Sequence, residues 1–242
     1  MLNKGRRFSY TDQKNQRHRF RWIFLAVFIF FVVFTALTSL FFSMEILENE
    51  TMAPNLRAGE RFIFSSFNIY SIVPMLNMEK GSLPFKRGNI VMVDMYEGKK
   101  PGLVQGILDS VIRFFSVQRI SLGEKREFLF VKRVIGLPGD EIAMNNYVIR
   151  VKVKDSAYSL TEFEVTEQDY TPEIPQTPAL WDSSLPFSGN METIVLAENE
   201  CFVLSDDRSN TNDSRTWGPV PIKNIRGKAL FRYWPITRFG PP

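Results

Sequence analysis

The sequence predicts a mainly β body behind one N-terminal membrane-spanning helix. Three observations predict it. Residues 22–44 form an uncharged apolar run, WIFLAVFIFFVVFTALTSLFFSM. Beyond residue 45, short Val-, Ile- and Phe-rich segments recur between turn residues. Long amphipathic helical patterns are scarce in that same stretch.

The first element is a basic tail, residues 1–21. It carries seven basic residues (Lys4, Arg6, Arg7, Lys14, Arg17, Arg19, Arg21) and one acid, Asp12, in a chain of 242 residues with a net charge of +4. The rest of the chain is therefore slightly acidic. A nucleic-acid-binding body should be basic on its own account, so no nucleic-acid partner is expected. The apolar run that follows is long enough to cross a hydrocarbon core of ~30 Å at ~1.5 Å per residue. A cleaved leader has an apolar region of about 7–15 residues ending in a small-x-small site. This run is longer and ends in LFFSMEI, so a retained anchor over 22–44 is expected, in contact with membrane lipid. Basic residues stay on the cytoplasmic side. That places the N-terminus in the cytoplasm and residues 45–242 across the plasma (inner) membrane.

The body has room for a sizeable core. Strands are expected at 61–64 (RFIF), 89–94 (NIVMVD), 127–136 (EFLFVKRVIG), 147–153 (YVIRVKV), 201–205 (CFVLS) and 229–234 (ALFRYW). Lys86-Arg87-Gly88, Leu137-Pro138-Gly139-Asp140, Asn145-Asn146 and Trp217-Gly218-Pro219 supply the turns between them. One sheet system is expected. Two inserts, about 95–127 and 155–195, interrupt it. Residues 103–118 have the spacing of a short amphipathic helix. Residues 155–193, with Pro172, Pro175, Pro178 and Pro186, read as a long surface excursion, partly disordered.

Two counts restrict the chemistry. The chain has one cysteine, Cys201, and one histidine, His18, which lies in the tail. The body thus has no Cys-rich or His-ligated metal site and no histidine base; no metal or cofactor is expected. A base in the body must be something else, and Lys132 is the best candidate. It sits inside FLFVKRVIGLPG, where Lys132 and Arg133 point to opposite faces of a strand. If Lys132 takes the buried face, its charged form is disfavoured and the neutral amine can accept a proton. The alternative is a lysine that reaches solvent at a strand edge. A polar loop at 205–218, SDDRSNTNDSRTWG, offers a hydroxyl to orient a catalytic group and an Asp213–Arg215 pair to hold its shape; a hydrogen-bonded surface loop is the alternative. A third segment, NETMAPNLRAGERFIF at 49–64, follows the apolar run within seven residues, a reach of at most ~25 Å. Its hydroxyl is Thr51.

Together and in this order, these segments resemble the type I signal peptidases, or leader peptidases. Those are membrane-anchored serine/lysine-dyad enzymes that remove signal peptides from exported preproteins. The family's S-M-x-P-T-L segment corresponds to Thr51-Met52-Ala53-Pro54-Asn55-Leu56, followed by Gly59-Glu60. R-G-D-[IV]-V corresponds to Arg87-Gly88-Asn89-Ile90-Val91. K-R-x-[IV]-G-L-P-G-D is complete as Lys132 to Asp140, and the last segment runs from Ser205 to Gly218. The resemblance implies a signal-peptidase-type β-sheet catalytic body with an apolar, membrane-facing surface, suited by phenylalanines around 62–67 if they are exposed. It implies Thr51 as nucleophile, Lys132 as general base, Thr211 as the hydroxyl orienting the lysine, and Asp213 with Arg215 as a structural ion pair. Asn49 occupies the oxyanion-hole position, and Leu47, Met52 and Val131 line shallow pockets for small side chains of the signal peptide.

The departures lie on the nucleophile side. Threonine replaces serine at position 51, and its methyl group restricts χ1. Glu50 replaces a small residue, and a carboxylate near the base would favour its protonated form. Asn49 stands where some members have a serine, and an amide N–H also donates to an oxyanion. The glycine that opens the last segment is Ser205 here. The resemblance thus implies a threonine/lysine peptidase or, alternatively, an anchored homologue of weak activity that binds a partner.

Overall fold

The computed structural model describes residues 10–66, 83–95, 105, 108, 109, 112, 129–167, 169–176 and 189–242, with backbone only at 10–16 and 35–40. The chain divides into two compact units: residues 1–40 with 100–125, and residues 41–99 with 126–242. In the first, helix α1 (Tyr10–Phe41) contains most of the apolar run. Most of its described apolar side chains, Trp22, Phe24 and Phe30 among them, are exposed, while Phe31 and Val32 are partly buried. Among the described residues, no helix is long and apolar enough to cross a membrane. The helix expected over 103–118 lies outside the described residues except at positions 105, 108, 109 and 112, which are helical. The insert at 95–127 falls outside them almost entirely.

The second unit is built from β1 (Phe42–Ile46), β2 (Arg61–Ser66), β3 (Ile90–Asp94), β4 (Leu129–Gly136), β5 (Glu141–Asn145), β6 (Val148–Lys152), β7 (Ser159–Thr161), α2 (Glu162–Val165), β8 (Met191–Val195), β9 (Glu200–Leu204), α3 (Ser214–Trp217), β10 (Val220–Pro221) and β11 (Ile225–Trp234). Each of the six expected strands has a counterpart here. The expected single sheet system is corrected: the described strands form two sheets. One has seven strands in the order β1-β2-β11-β3-β4-β9-β10, the other four in the order β7-β6-β5-β8. The break follows β4, where the chain turns through Leu137-Pro138-Gly139 and re-emerges in a new sheet. The next hairpin is tight. Asn145 pairs with Val148, so Asn146 and Tyr147 form a two-residue turn with φ of 49° and 63°. Positive φ at both positions gives the primed turn that matches strand twist. The last three residues of the apolar run, Phe42 to Met44, belong to β1, which pairs with β2.

The core explains why several strands read as continuous apolar runs. Along β3, Ile90 and Met92 join a cluster with Met52, Leu56, Phe62 and Phe64. Val91 and Val93 point the other way, into a cluster with Val134, Cys201, Val203 and Val220. Side chains alternate along a strand, so covering both faces requires apolar residues at consecutive positions. Phe62 and Phe64 are each 1% exposed. They contribute about 1.5–3 kcal/mol apiece by burial and belong to the core, not to an exposed apolar surface; Phe67 lies outside the described residues. A third cluster, with Ile135, Ile142, Ile149, Val151 and Phe202, joins the two sheets. At Gly227 β2 and β11 pack closely: a Cβ there would lie 1.9 Å from the Ser65 carbonyl oxygen.

The described part of the second insert is built into this unit. Glu162, at the start of α2, is fully buried and pairs with the fully buried Arg208 at 2.5 Å. The Tyr170 hydroxyl donates to Glu162 at 2.5 Å. The Glu173 N–H donates to the Asp206 carbonyl, and its own carbonyl accepts from the Arg208 N–H. Residues 177–188 lie outside the described residues. The surface excursion expected from the prolines is, over 159–173, a segment held by a buried charge pair and by backbone pairing.

Candidate active site

Strand β4 positions the lysine. Lys132 pairs across the ladder with Val91 and lies on the apolar face shared with Val134 and Trp217. It is 0% exposed, and its Nζ lies 5.9 Å from the Trp217 ring centre. Burial pulls its pKa down from 10.5 to about 8. Asp213 pushes it up, Arg215 pushes it down, and Asp206 and Asp207 push it up more weakly. Glu50 is exposed. Among the described residues the amine donates one hydrogen bond, to Ser205 Oγ at 2.8 Å.

The neighbouring Arg133 is also buried, 3% exposed, so both faces of β4 are covered here. Its charge is met by Asp206 at 2.8 and 2.6 Å and by the Gly88 carbonyl at 2.7 Å. Its guanidinium lies 4.0 Å from the Tyr170 ring centre. A buried arginine paired this fully is tolerated, whereas loss of one partner would leave an uncompensated charge.

The loop at 205–218 is folded on Asp213. Its carboxylate accepts from the N–H groups of Ser205 at 2.9 Å and Arg215 at 3.1 Å. It also receives the Arg215 guanidinium at 2.9 and 2.8 Å. Burial raises the Asp213 pKa, but the Arg215 hydrogen bonds and charge, with the two N–H donors, hold it below the usual aspartate value. Arg215 in turn donates to the carbonyls of Arg208, at 2.8 Å, and Asn210. The Thr211 carbonyl accepts from the Asp213 N–H and the Thr216 hydroxyl. The hydroxyl that receives the lysine amine is that of Ser205.

The 49–56 segment is fastened to the same loop. The Thr51 carbonyl accepts from the Asp207 N–H at 3.1 Å. The Asn55 amide donates to Asp206 at 2.9 Å and to the Thr171 carbonyl at 3.0 Å. Thr51 is 8% exposed, and its hydroxyl donates to Asn49 Oδ1 at 2.9 Å. Its N–H donates to no carbonyl among the described residues. Leu47 and Met52 are buried in one apolar cluster, with Val131 packed against it. The structure thus ties Thr51 and Lys132 to one short stretch, residues 205–207, without a hydrogen bond between the two side chains.

Four residues of the site carry no individual role in the sequence pattern: Ser205, present there only as one hydroxyl of the loop, Asp206, Arg208 and Glu162. Asp206 and Arg208 were visible as charges within the loop. Nothing near Glu162 in the sequence marks it as a partner of Arg208. Among the described residues, no group of three His, Cys, Asp or Glu side chains is arranged to hold a metal ion.

The sequence pattern of the family described as "Signal peptidase, peptidase S26" matches residues 19–234. Similar proteins include "Probable signal peptidase I-1" of Synechocystis sp., 27% identical over 192 residues, 79% of this chain and 71% of the relative. "Signal peptidase I" of Bacillus caldolyticus is 28% identical over 233 residues, 95% and 97% of the two chains. "Signal peptidase I" of Streptococcus pneumoniae is 29% identical over 163 residues, 58% of this chain and 79% of the relative.

Proposed function

The chain belongs to the signal peptidase family, peptidase S26, and we propose that it is a membrane-anchored endopeptidase that removes signal peptides from exported preproteins with a Thr51–Lys132 dyad. The observation that carries this is Lys132. A lysine with no exposed surface and a pKa near 8 is an expensive feature for a structural role and a suitable one for a base.

In this reading neutral Lys132 takes the proton of the Thr51 hydroxyl. The alkoxide attacks the carbonyl before the cleavage site. The resulting oxyanion is met by the Thr51 N–H, which is spare among the described residues, and by the Asn49 amide. The mature protein leaves with a proton from Lys132, and water activated by the same amine releases the signal peptide from Thr51. In this reading Leu47, Met52 and Val131 back the site of the small signal-peptide side chains; Leu47 and Met52, 4% and 0% exposed, do so from beneath the surface. The anchor over 22–44, with the basic tail cytoplasmic and the body on the far side, rests on the apolar run and the charge asymmetry before it.

One observation favours a second reading, an anchored homologue with little peptidase activity. The Thr51 hydroxyl points its proton at Asn49, and catalysis requires it to turn to Lys132. Purified full-length protein and a preprotein with a small-x-small site, in detergent, separate the two. An active dyad predicts cleavage that Thr51→Ala abolishes and Thr51→Ser keeps or raises. A weak homologue predicts little cleavage by wild type and a gain in Thr51→Ser. Cleavage by Thr51→Ala at the wild-type rate would remove Thr51 from the chemistry.

A further inference from the structure

We infer that Ser205 is the positioning residue for Lys132, its hydroxyl fixing the amine in the role that the family resemblance gives to Thr211. This rests on the proposed role of Lys132 as base. The lysine side chain has four rotatable methylene links, so burial alone does not aim its amine. The one hydrogen bond of that amine among the described residues, to Ser205 Oγ at 2.8 Å, does.

Ser205 is in turn held at both of its peptide groups. Its N–H donates to Asp213 at 2.9 Å, and its carbonyl accepts from Arg208 Nε at 3.1 Å. Asp213 is locked by Arg215, and Arg208 by Glu162. Two buried ion pairs therefore fix one serine. Register brings it to the lysine: the residue before it, Leu204, pairs with Arg133 across the β4–β9 ladder. Ser205 itself is 0% exposed, so its hydroxyl is out of reach of a polypeptide substrate and acts through the amine. A neutral amine has two N–H bonds and one lone pair. With one N–H spent on Ser205, the lone pair is confined to the remaining tetrahedral directions, away from the serine. The family pattern has glycine at this position, which offers no acceptor; the exchange to serine supplies one.

Preprotein cleavage by full-length Ser205→Ala, Ser205→Cys and Thr211→Val, followed against pH, tests this. Ser205→Ala should lower kcat about 10- to 100-fold, the scale of a mispositioned base, with KM nearly unchanged. It should also move the acid limb of the pH profile to lower pH, because the charged amine loses its acceptor. Ser205→Cys keeps the side-chain size with a weaker acceptor, and should shift both quantities the same way by less. Thr211→Val should lower kcat less than Ser205→Ala does. A 13C titration of the Lys132 Cε in labelled protein reads the same limb without turnover, and Ser205→Ala should lower that pKa. Folded Ser205→Ala or Ser205→Cys with wild-type kcat and an unmoved Lys132 titration would overturn the inference, as would a larger loss in Thr211→Val. Lys132→Met run in parallel keeps the two claims apart. If it cleaves, the base assignment fails; if it is inactive while the Ser205 variants behave as wild type, only the positioning role fails.

Discussion

Lys132 imposes two pH dependences of opposite use. As the proposed base it works only when neutral, so kcat/KM should rise through pH about 8 and level off above it. As a buried group it destabilises the fold wherever it is charged in the unfolded chain. Its folded pKa lies below the ordinary 10.5, so between pH about 8 and 10.5 the native state binds fewer protons than the unfolded one. Stability contributed by this residue therefore rises with pH across that window, and the full penalty is present below it. Lys132→Met should stabilise the protein by about 1–3 kcal/mol at pH 7, after subtracting the lost Ser205 bond, and the gain should shrink toward pH 10.5. Denaturation midpoints at pH 7 and pH 10 measure it; an equal gain at both would show that the amine is not desolvated. The apolar neighbours that make this shift were legible in FLFVKRVIG. The partner that receives the amine was not, because Ser205 lies 73 residues along the chain and only the β4–β9 register brings it near.

At the scale of elements, three of the strands that declared themselves, β3, β4 and β9, have both faces covered over most of their length. In β3, β4 and β9, consecutive Val, Ile, Leu and Phe residues outweigh the charged positions, Asp94, Lys132, Arg133 and Glu200. β1 was hidden because its residues 42–44 end the apolar run and read as part of the span. β5 was hidden because it is short and carries polar residues on one side, and β8 because it is short and has polar residues at consecutive positions, Glu192 and Thr193. The described part of the second insert was misjudged for a different reason. Prolines and acids look like a solvated loop until one acid, Glu162, is seen to neutralise Arg208. Removing that partner as Glu162→Ala leaves a buried arginine short of its counter-charge and should cost about 3–5 kcal/mol, seen as a drop in the chemical denaturation midpoint of the full-length protein. A loss under about 1 kcal/mol would mean the pair is solvated. The β2–β11 contact gives an independent check. Gly227→Ala places a methyl within 1.9 Å of the Ser65 carbonyl oxygen, so the strands must part. About 1–3 kcal/mol or more should be lost, and backbone amide exchange should rise in β2 and β11 alone among the strands of the larger sheet.

For the whole molecule, the tail, the apolar run and the body carry a topological expectation that charge alone makes. Protease added outside intact spheroplasts expressing the protein should digest residues 45–242 and spare the N-terminal tail; a body protected until lysis would reverse the orientation. The division into two sheets was beyond the reach of local sequence, since it depends on which of several similar strands pair across distances of many residues. The order of the Thr51, Lys132 and 205–218 segments was legible, and it is that order, folded by the 205–207 stretch, on which the functional account stands. The central claim is that a buried lysine drives peptide-bond cleavage, and it is tested most directly by one measurement. A preprotein with a small-x-small site is incubated in detergent with wild type and with Lys132→Met at equal concentration, and mature protein is quantified over time at pH 8. The account predicts cleavage at that single site by wild type and none above background by a folded Lys132→Met variant; equal rates of mature-protein release by the two would contradict it.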